Sequence, residues 1–269
     1  MAFKVKILAD SVAPHGKRLT TFELTYGRIF HSEVMTHRMF SRNAASSRAI
    51  PVEKMLQRIM DDPFVPSFWG KNQKGMQATR ELSIDEQAEA RRLWLVGRDE
   101  AVATATKLKD LGLHKQVVNR VVEPWMWITV ILSGTEWNNF WFLRDSAMAE
   151  PHFEQLAREM RTTFDASRPE PLWPGQWHLP LVISGEQGID GPDLVKVSTG
   201  RVARVSYLTH DGKRDPATDV ALHDQLLKDR HMSPFEHVAT PATEPFTWSG
   251  NFQGWVQYRK TITGENVEG

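Results

Sequence analysis

The sequence predicts an α+β fold in which helices and strands mix without simple alternation. Two observations predict it. Several short segments alternate apolar and polar residues, or are rich in β-branched and aromatic residues, as strands are. Other segments carry helix start and stop signals. The 269 residues are expected to form a single domain, 1–269, and the Pro-, Gly- and Trp-rich region 167–197 is the expected internal boundary.

The N-terminal part begins with strands in FKVKILAD (3–10) and TTFELTY (20–26), where apolar residues alternate with polar ones. Residues 29–45 suit a helix, or a helix followed by a turn. Pro51 then opens the helix PVEKMLQRIMDD in the first turn, where proline is tolerated. A loop containing FWGKNQKGMQA is predicted for residues 63–82.

A long helix is predicted over residues 83–112. Ser83 can cap its start, acidic residues fill its first turn, and Gly112 follows its end. A short helix over 114–122 stops at Pro124, because proline cannot continue a helix.

The segment WMWITVILS (125–133) is predicted to be a buried strand, because β-branched and aromatic residues dominate it. The remaining predicted elements are helices over 136–144, 151–166 and 216–229, a strand near 245–249 and a helical piece in NFQGWVQYRK (251–260). In SPFEH (233–237), Ser233 fits a helix N-cap, Pro234 the first helical position and Glu236 the third, which predicts a capping box.

The composition excludes several classes of protein. Lys+Arg and Asp+Glu number 33 each, whereas a non-specific polyanion binder carries a basic excess, so direct nucleic-acid binding is not expected. The absence of cysteine excludes disulfides, thiolate zinc sites and a cysteine nucleophile. No apolar run reaches membrane-spanning length and no signal-peptide segment is visible, so a cytoplasmic enzyme or binding protein is expected.

Common catalytic motifs are missing from the sequence. GKNQKG (70–75) has the glycine spacing of a phosphate-binding loop but lacks the Lys-Ser/Thr that should follow. There is no GxGxxG before a helix, no HExxH and no GxSxG. The ten histidines do not cluster at metal-ligand spacing, so no metal site is predicted.

The stretch THRMFSRNAASSR (36–48) carries three arginines and no acidic residue. In a helix, Arg38, Ser41, Ala45 and Arg48 would share one face. Guanidinium groups on such a face suit phosphate or carboxylate ligands. A solvated basic face, or a salt-bridge patch between subunits, explains the spacing equally well.

Two further features bear on function. Arg120 and Arg144 flank the buried strand and border apolar segments, where an unpaired charge is costly, so each needs a fixed partner. Spacing alone favours structural ion pairs with an acid such as Asp145 or Glu123. A helix start explains all of SPFEH except His237, although a helix N-terminus also suits a phosphate.

Together these segments resemble the flavin-dependent thymidylate synthases, and phage-encoded members in particular. The signature of that family is Arg-His-Arg followed by spaced Ser, Asn-Glu, Ser and Arg. It corresponds here to Thr36-His37-Arg38, Ser41, Asn43-Ala44, Ser46 and Arg48. HKQVVNRVVEP, WNNFWFLR, ARVSY (203–207) and SPFEH resemble further family segments.

The sequence differs from the family pattern in three ways. Thr36 replaces the first arginine of the signature, and Ala44 replaces its glutamate. ARVSY and SPFEH follow the signature instead of preceding it, which predicts a circular permutation, with an added partial duplication as the alternative. A permuted chain should have neighbouring termini and should place His237 near residues 36–48.

The resemblance implies a central, mostly antiparallel sheet with a helical bundle, like that of the thymidylate-synthase-complementing protein. It also implies a homotetramer with sites between subunits. The implied reaction is one-carbon transfer to C5 of dUMP to give dTMP, with FAD as cofactor and methylenetetrahydrofolate and NADPH as co-substrates. Alternatives are hydroxymethylation of a pyrimidine nucleotide for modified phage DNA, and a non-catalytic flavin- or nucleotide-binding protein.

The resemblance also implies residue roles. Arg144 would stabilise negative charge on the pyrimidine, as a fixed guanidinium can. The nucleotide would be held by Ser46, Arg48, Arg120 and Arg144. The flavin would be lined by His37, Arg38, Asn43, Asn139 and His237. The Trp-rich loops 63–82 and 173–182 receive no role.

Overall fold

The computed structural model describes residues 3–183, 186, 191–205 and 215–265, and a five-stranded sheet lies at its centre. Across the sheet the strands are β3 (Ser41–Ala44), β4 (Trp127–Gly134), β2 (Arg18–Gly27), β1 (Lys4–Val12) and β5 (Glu170–Pro171). The first four pair antiparallel, and only β5 runs parallel to its neighbour β1. The predicted α+β fold with a mostly antiparallel sheet is confirmed.

Eight helices belong to the described part of the chain. They are α1 (His31–Met35), α2 (Val52–Asp61), α3 (Ile84–Asp110), α4 (Lys115–Val118), α5 (Asn138–Arg144), α6 (Pro151–Ala166), α7 (Gly191–Ala203) and α8 (Pro216–Lys228). α3 begins with the predicted cap, since Ser83 and Glu86 exchange side-chain to backbone hydrogen bonds. Gly112 follows its end with a positive φ of 84°, which glycine adopts without strain.

One face of the sheet carries an aromatic core. Alternate side chains of β2 and β4, such as Phe22, Leu24, Val130 and Leu132, point to this face because strand side chains alternate. They pack with residues of α5 and α6, including Phe140, Trp141, Phe153 and Leu156. This core fixes the position of α5, whose last residue is Arg144.

The opposite face of the sheet is mostly polar, with Thr21, Thr25, Thr129 and Ser133 directed to it. Part of it is covered by α7, since Val202 packs with Ile131, Leu181 and Val205. A buried arginine holds α7 in place. Arg201 donates to Asp219 of α8 at 2.8 Å and to Glu186 at 2.7 Å.

For residues 29–45 a continuous helix is wrong, whereas a helix followed by a turn is correct as far as residue 40. The chain turns after α1, and Ser41–Ala44 pairs with β4 as the edge strand of the sheet. The helical face proposed for Arg38, Ser41, Ala45 and Arg48 therefore does not exist. Pairing with β4 satisfies the backbone of this polar segment, and that long-range interaction overrides the local pattern.

The prediction for the C-terminal part is also wrong in two places. SPFEH forms a four-residue 3₁₀ helix, Ser233–Glu236, whose N-cap is Met232, so there is no capping box. NFQGWVQYRK is not helical but contains β8 (Phe252–Gln253), β9 (Trp255–Gln257) and a 3₁₀ turn. Turns at Gly250 and Gly254, both with positive φ, permit these short ladders.

The C-terminal ladders are small. β6 (Ala239–Pro241) pairs with β9, and β7 (Trp248–Ser249) pairs with β8. The strand predicted near 245–249 is thus shortened to two residues. Of ARVSY, Ser206 and Tyr207 lie outside the described residues, as do both chain termini. None of the helices within the described ranges has the length and apolar character needed to cross a bilayer.

Candidate functional site

Arg144, the last residue of α5, is held against the basic stretch. Its Nε donates to Nε2 of His37 at 2.8 Å. Its other contacts are longer: Nη2 lies 3.5 Å from Thr36 Oγ1, and Nη1 lies 3.9 Å from a carboxylate oxygen of Glu33. The guanidinium also lies 4.9 Å from the centre of the Phe153 ring. Because 23% of the side chain is exposed, a ligand can reach a guanidinium that one short bond has already oriented.

His37 is a neutral partner for this guanidinium. Its ring packs against Phe140 and Phe153, with ring centres 5.0 and 6.0 Å apart. Burial, and then the charges of Arg144 and Arg42, lower the pKa of His37 to about 4. The imidazole is therefore uncharged at neutral pH and accepts the Arg144 N–H at Nε2, so its own proton lies on Nδ1.

Two other predicted flavin residues belong to this region. Arg38 follows His37 and is exposed, and Asn139 precedes Phe140 in α5 and is exposed as well. The structure thus brings Thr36, His37 and Arg38 together with the helix that carries Asn139 and Arg144. We call these five residues the arginine side of the candidate site.

The predicted nucleotide residues Ser46, Arg48 and Arg120 form a second group. Asn119 joins their two segments: it is fully buried, and its Nδ2 donates to the carbonyls of Ser47 at 2.8 Å and Ile50 at 3.0 Å. Arg48 and Arg120 are both exposed. The structure therefore places two exposed arginines on neighbouring, rigidly joined segments.

Both arginines form an ion pair, and the acid that pairs with Arg144 is Glu33, at 3.9 Å. Arg120 pairs with Glu123 at 3.6 Å, and Glu123 also pairs with Arg28 at 2.9 Å. Asp145 does not pair with Arg144 but bonds to Arg158 and Arg161 of α6. The predicted ion pair between Arg144 and Asp145 is therefore wrong.

A cavity of about 460 Å³ lies between α2 and the polar face of the sheet. Its walls include Trp125, Trp127 and Arg28, together with Thr25 and Thr129. Ala45 and Ser47 of the basic stretch line it, whereas Arg48 and Arg120 do not. This cavity could not be predicted from the sequence, because its walls come from segments that are brought together only by the sheet.

Asn43 and His237 form a third group, on the face of the sheet opposite to His37. Asn43 lies across from Ile131 in the β3–β4 pair, and Ser41 lies across from Ser133. His237 is fully buried, and its Nδ1 hydrogen-bonds with Ser133 Oγ at 2.8 Å. His237 is therefore next to the basic stretch, as predicted.

Both residues keep a buried polar atom without a hydrogen-bond partner among the described residues: Nε2 of His237 and Oδ1 of Asn43. Asn43 Nδ2 has only a long contact, 3.5 Å, to the Val202 carbonyl. Burial, and then the neighbouring His178, lower the pKa of His237 to about 3, so its imidazole is neutral.

The sequence analysis missed the residues that support His237. Ser133 also bonds with Thr21, and Thr21 bonds with His178. Alternation along β2 and β4 placed Thr21 and Ser133 on one face, but the partners of that face are distant in sequence. No group of three or more His, Asp or Glu side chains suited to a metal ion occurs within the described part of the chain.

Comparison with known proteins gives limited results. No protein-family model matches the chain, and no match was found among curated proteins. Among solved structures, the chain is similar to two crystal structures of the UMP/dUMP methylase PolB from Streptomyces cacaoi. One is bound with 5-Br UMP and the other with 5-Br dUMP. Both are 16% identical to this chain, with TM-scores of 0.48 and 0.49. The similarity covers 61% of this chain and 88% and 90% of theirs, and it assigns no activity or residue role here.

Proposed function

We propose that the protein is a flavin-dependent enzyme that transfers a one-carbon unit to C5 of dUMP and makes dTMP, with methylenetetrahydrofolate as carbon donor and NADPH as reductant. The observation that carries the proposal is the 2.8 Å bond between Arg144 and His37. These residues come from two separate segments that resemble the thymidylate synthases, and the fold brings them into direct contact.

The chemistry requires stabilisation of negative charge on the pyrimidine ring. C5 of uracil attacks an electrophile only when its ring is made electron-rich. A cysteine that adds to C6 is one way to achieve this, and the chain has no cysteine. A guanidinium fixed near the ring can stabilise the developing charge instead. Arg144 fits this role because its one short hydrogen bond is to a neutral imidazole, which orients the guanidinium, while the carboxylate of Glu33 lies farther away, at 3.9 Å.

The flavin is proposed to bond with two of the buried atoms that have no hydrogen-bond partner among the described residues, those of His237 and Asn43. A buried polar atom without a partner costs about 1–3 kcal/mol, so a bound group that bonds with Nε2 of His237 or Oδ1 of Asn43 would recover that energy. His37, Arg38 and Asn139 would complete the flavin site. A bound reduced flavin would supply the hydride, while the protein orients it and excludes water.

The two groups of flavin residues lie on opposite faces of β3 in one chain. The proposal therefore requires that copies of the chain complete one another's sites, as in the homotetramers of the family that the sequence resembles. A monomer that turns over dUMP would contradict this part of the proposal.

The nucleotide phosphate is proposed to bind Ser46, Arg48 and Arg120. Guanidinium groups bind phosphate oxygens in a bidentate way, and both arginines are exposed. The Asn119 bonds hold the two segments at a fixed separation, so that a phosphate would meet a preformed site.

A second product is favoured by one observation. Thr36 stands where the family has arginine, and its hydroxyl donates to the Glu33 carbonyl at 2.6 Å. A guanidinium is therefore missing beside Arg144. The alternative product is a 5-hydroxymethyl pyrimidine nucleotide, which needs the same nucleotide and one-carbon donor but no hydride transfer to the new carbon.

The test is release of tritium from dUMP labelled at C5, with mass analysis of the product. The protein is supplied with FAD, NADPH and methylenetetrahydrofolate, and UMP is tested in parallel. Release with a methylated product supports the main proposal, and release with a hydroxymethylated product supports the alternative. Absence of release with either nucleotide, from protein that binds FAD, would leave only a non-catalytic binding protein.

A further inference from the structure

A carboxylate lies beside Arg144 and accepts no hydrogen bond from any residue that the structure describes. Glu33 belongs to α1, and one of its carboxylate oxygens is 3.9 Å from Nη1 of Arg144. This distance makes an ion pair but is too long for a hydrogen bond. The lone pairs of the carboxylate are therefore available, and 36% of the Glu33 side chain is exposed.

The backbone of α1 holds Glu33 in this position. Val34, the next residue, is buried in the aromatic core. Thr36 then ends the helix, and its backbone N–H and its hydroxyl both donate to the Glu33 carbonyl, at 3.1 and 2.6 Å. The Glu33 side chain thus projects from a fixed turn, next to the guanidinium of Arg144.

Two other carboxylates near the arginine side already have short hydrogen bonds. Asp145 bonds to the two arginines of α6 named above. Glu150 accepts the backbone N–H of Phe153 at 2.9 Å and bonds with Nδ1 of His152 at 2.6 Å. Neither carboxylate is free to take a proton without the loss of these bonds, whereas Glu33 is.

The remaining polar side chains in contact with Arg144 cannot act as bases. His37 uses the lone pair of Nε2 to accept the Arg144 N–H and carries its hydrogen on Nδ1. The hydroxyl of Thr36 donates to a carbonyl. Among the described side chains that contact Arg144, only Glu33 therefore offers a basic lone pair.

The surroundings of Glu33 strengthen it as a base. Burial and the charge of Glu150 raise the pKa of Glu33, and the nearby charge of Arg144 lowers it by less. His37 adds no charge, because its imidazole is neutral at neutral pH. General bases work best when their pKa lies near the working pH, and a raised pKa moves a carboxylate in that direction.

The attachment of a carbon to C5 of a pyrimidine requires a proton acceptor. The new bond uses the electrons of the C5–C6 double bond, and the C5–H bond must then break. The electron pair of that C–H bond re-forms the double bond, while the proton passes to a base. This step is the same for a methyl and for a hydroxymethyl product.

We propose that Glu33 is the catalytic base that accepts the proton from C5 of the pyrimidine. This role rests on the proposed function, in which Arg144 stabilises negative charge on the ring. C5 is bonded to the carbon that carries O4, so a guanidinium bonded to O4 has C5–H beside it, where Glu33 lies. The exposed part of the side chain then lets the carboxylic acid return its proton to water.

The first test is Glu33→Gln, which keeps the size of the side chain and removes the basic oxygen. We expect kcat for tritium release from C5-labelled dUMP to fall by about 10²–10⁴-fold, the usual contribution of a general base. FAD binding and the KM for dUMP should change little. Glu154→Gln is the matched control, because it removes a half-buried carboxylate that pairs with Arg158, and its kcat should stay near the wild-type value.

The second test separates a base from a residue that only supports the structure. Glu33→Asp keeps the carboxylate but withdraws it, so that C5–H cleavage slows relative to the other steps. The isotope effect on kcat with dUMP deuterated at C5 should therefore be larger in Glu33→Asp than in the wild type. In addition, kcat of the wild type should fall as the pH is lowered and Glu33 takes up a proton, and Glu33→Gln should lack this decrease.

The outcomes distinguish this role from the proposed function. Wild-type rates of tritium release from Glu33→Gln, or a wild-type isotope effect in Glu33→Asp, would overturn the role of Glu33 and leave the proposed function intact. Wild-type protein that binds FAD but releases no tritium from dUMP or UMP would refute both. Should Glu33→Gln fail to fold, the isotope effect of Glu33→Asp, which keeps the charge beside Arg144, decides the question.

Discussion

At the scale of the residue, the contact between Arg144 and His37 is the feature that most affects function. The sequence indicated that Arg144 needs a partner, but it suggested an acid close in the chain. The structure supplies an imidazole from the basic stretch, because Asp145 already bonds to Arg158 and Arg161. This partner could not be predicted from the sequence, because α5 and the basic stretch are brought together only by their packing on the aromatic core.

Replacing Arg144 with alanine should lower kcat by about 10²–10³-fold, as the loss of a fixed charge-stabilising donor does in other enzymes. FAD should still bind, because Arg144 is not among the proposed flavin residues. Arg161→Ala is the matched control: it removes an exposed arginine that pairs with Asp145 and Asp165, and its kcat should stay near the wild-type value. Steady-state release of tritium from C5-labelled dUMP measures kcat for both variants. An active Arg144→Ala enzyme would show that the catalytic assignment is wrong.

At the scale of the element, β3 shows where local reasoning fails. Its sequence, SRNA, has no strong preference for a strand, and the arginine spacing around it suggested a helical face. The unpaired edge of β4 decides the outcome, because pairing there satisfies the backbone of Ser41–Ala44. As a result Arg42 and Asn43 point to opposite faces of the sheet, and the predicted flavin residues divide into two groups.

The hydrogen bonds of Asn119 join the end of α4 to residues 47–50, and their removal can be tested. Asn119→Ala removes the donor to two carbonyls and should loosen the separation of Arg48 and Arg120. We expect the KM for dUMP to rise by about tenfold with little change in kcat, and the free energy of unfolding to fall by about 1–3 kcal/mol.

Gln116→Ala is the matched control for this variant, because Gln116 lies on the same short helix and is exposed. Steady-state kinetics and urea unfolding should leave it indistinguishable from the wild type. An Asn119→Ala enzyme with an unchanged KM would show that the two segments do not bind the nucleotide together.

At the scale of the whole molecule, the sequence predicted the elements of the N-terminal two thirds better than their assembly. β1, β2, β4, α3 and α6 follow from alternation, capping and helix stops. The order of the strands, the cavity beside α2 and the hydrogen bonds that link His178 to His237 through Thr21 and Ser133 depend on contacts between distant segments, which periodicity does not contain. Of the strands in the C-terminal ladders only the one near 245–249 was predicted, because strands of two or three residues carry no alternation.

The burial of His178 and His237 predicts how the stability of the molecule depends on pH. The pKa values of His178 and His237 are about 3 in the folded state and near 6.5 in the unfolded state, so the unfolded state binds more protons between these values. This contribution to the free energy of unfolding is complete above pH 6.5 and is lost as the pH falls toward 3. Near pH 5, these two residues should account for an uptake of about two protons on unfolding.

His178→Gln removes one of these protons. The unfolded histidine is charged between about pH 4.5 and 6, so urea unfolding is measured in that range. The free energy of unfolding of His178→Gln should rise less steeply with pH than that of the wild type, by about 1.4 kcal/mol per pH unit. Thr25→Val, which removes a hydroxyl from the Thr25–Thr129 pair on the same face of the sheet and changes no titratable group, is the control and should keep the wild-type slope. Equal slopes for His178→Gln and the wild type would contradict a neutral His178 in the folded protein.

The absorbance spectrum of the purified protein shows whether the chain forms a flavin and nucleotide site. The protein should take up FAD, give the absorbance bands of an oxidised flavin, and change that spectrum when dUMP is added. A colourless protein that does not take up FAD, with or without dUMP, would mean that no such site exists.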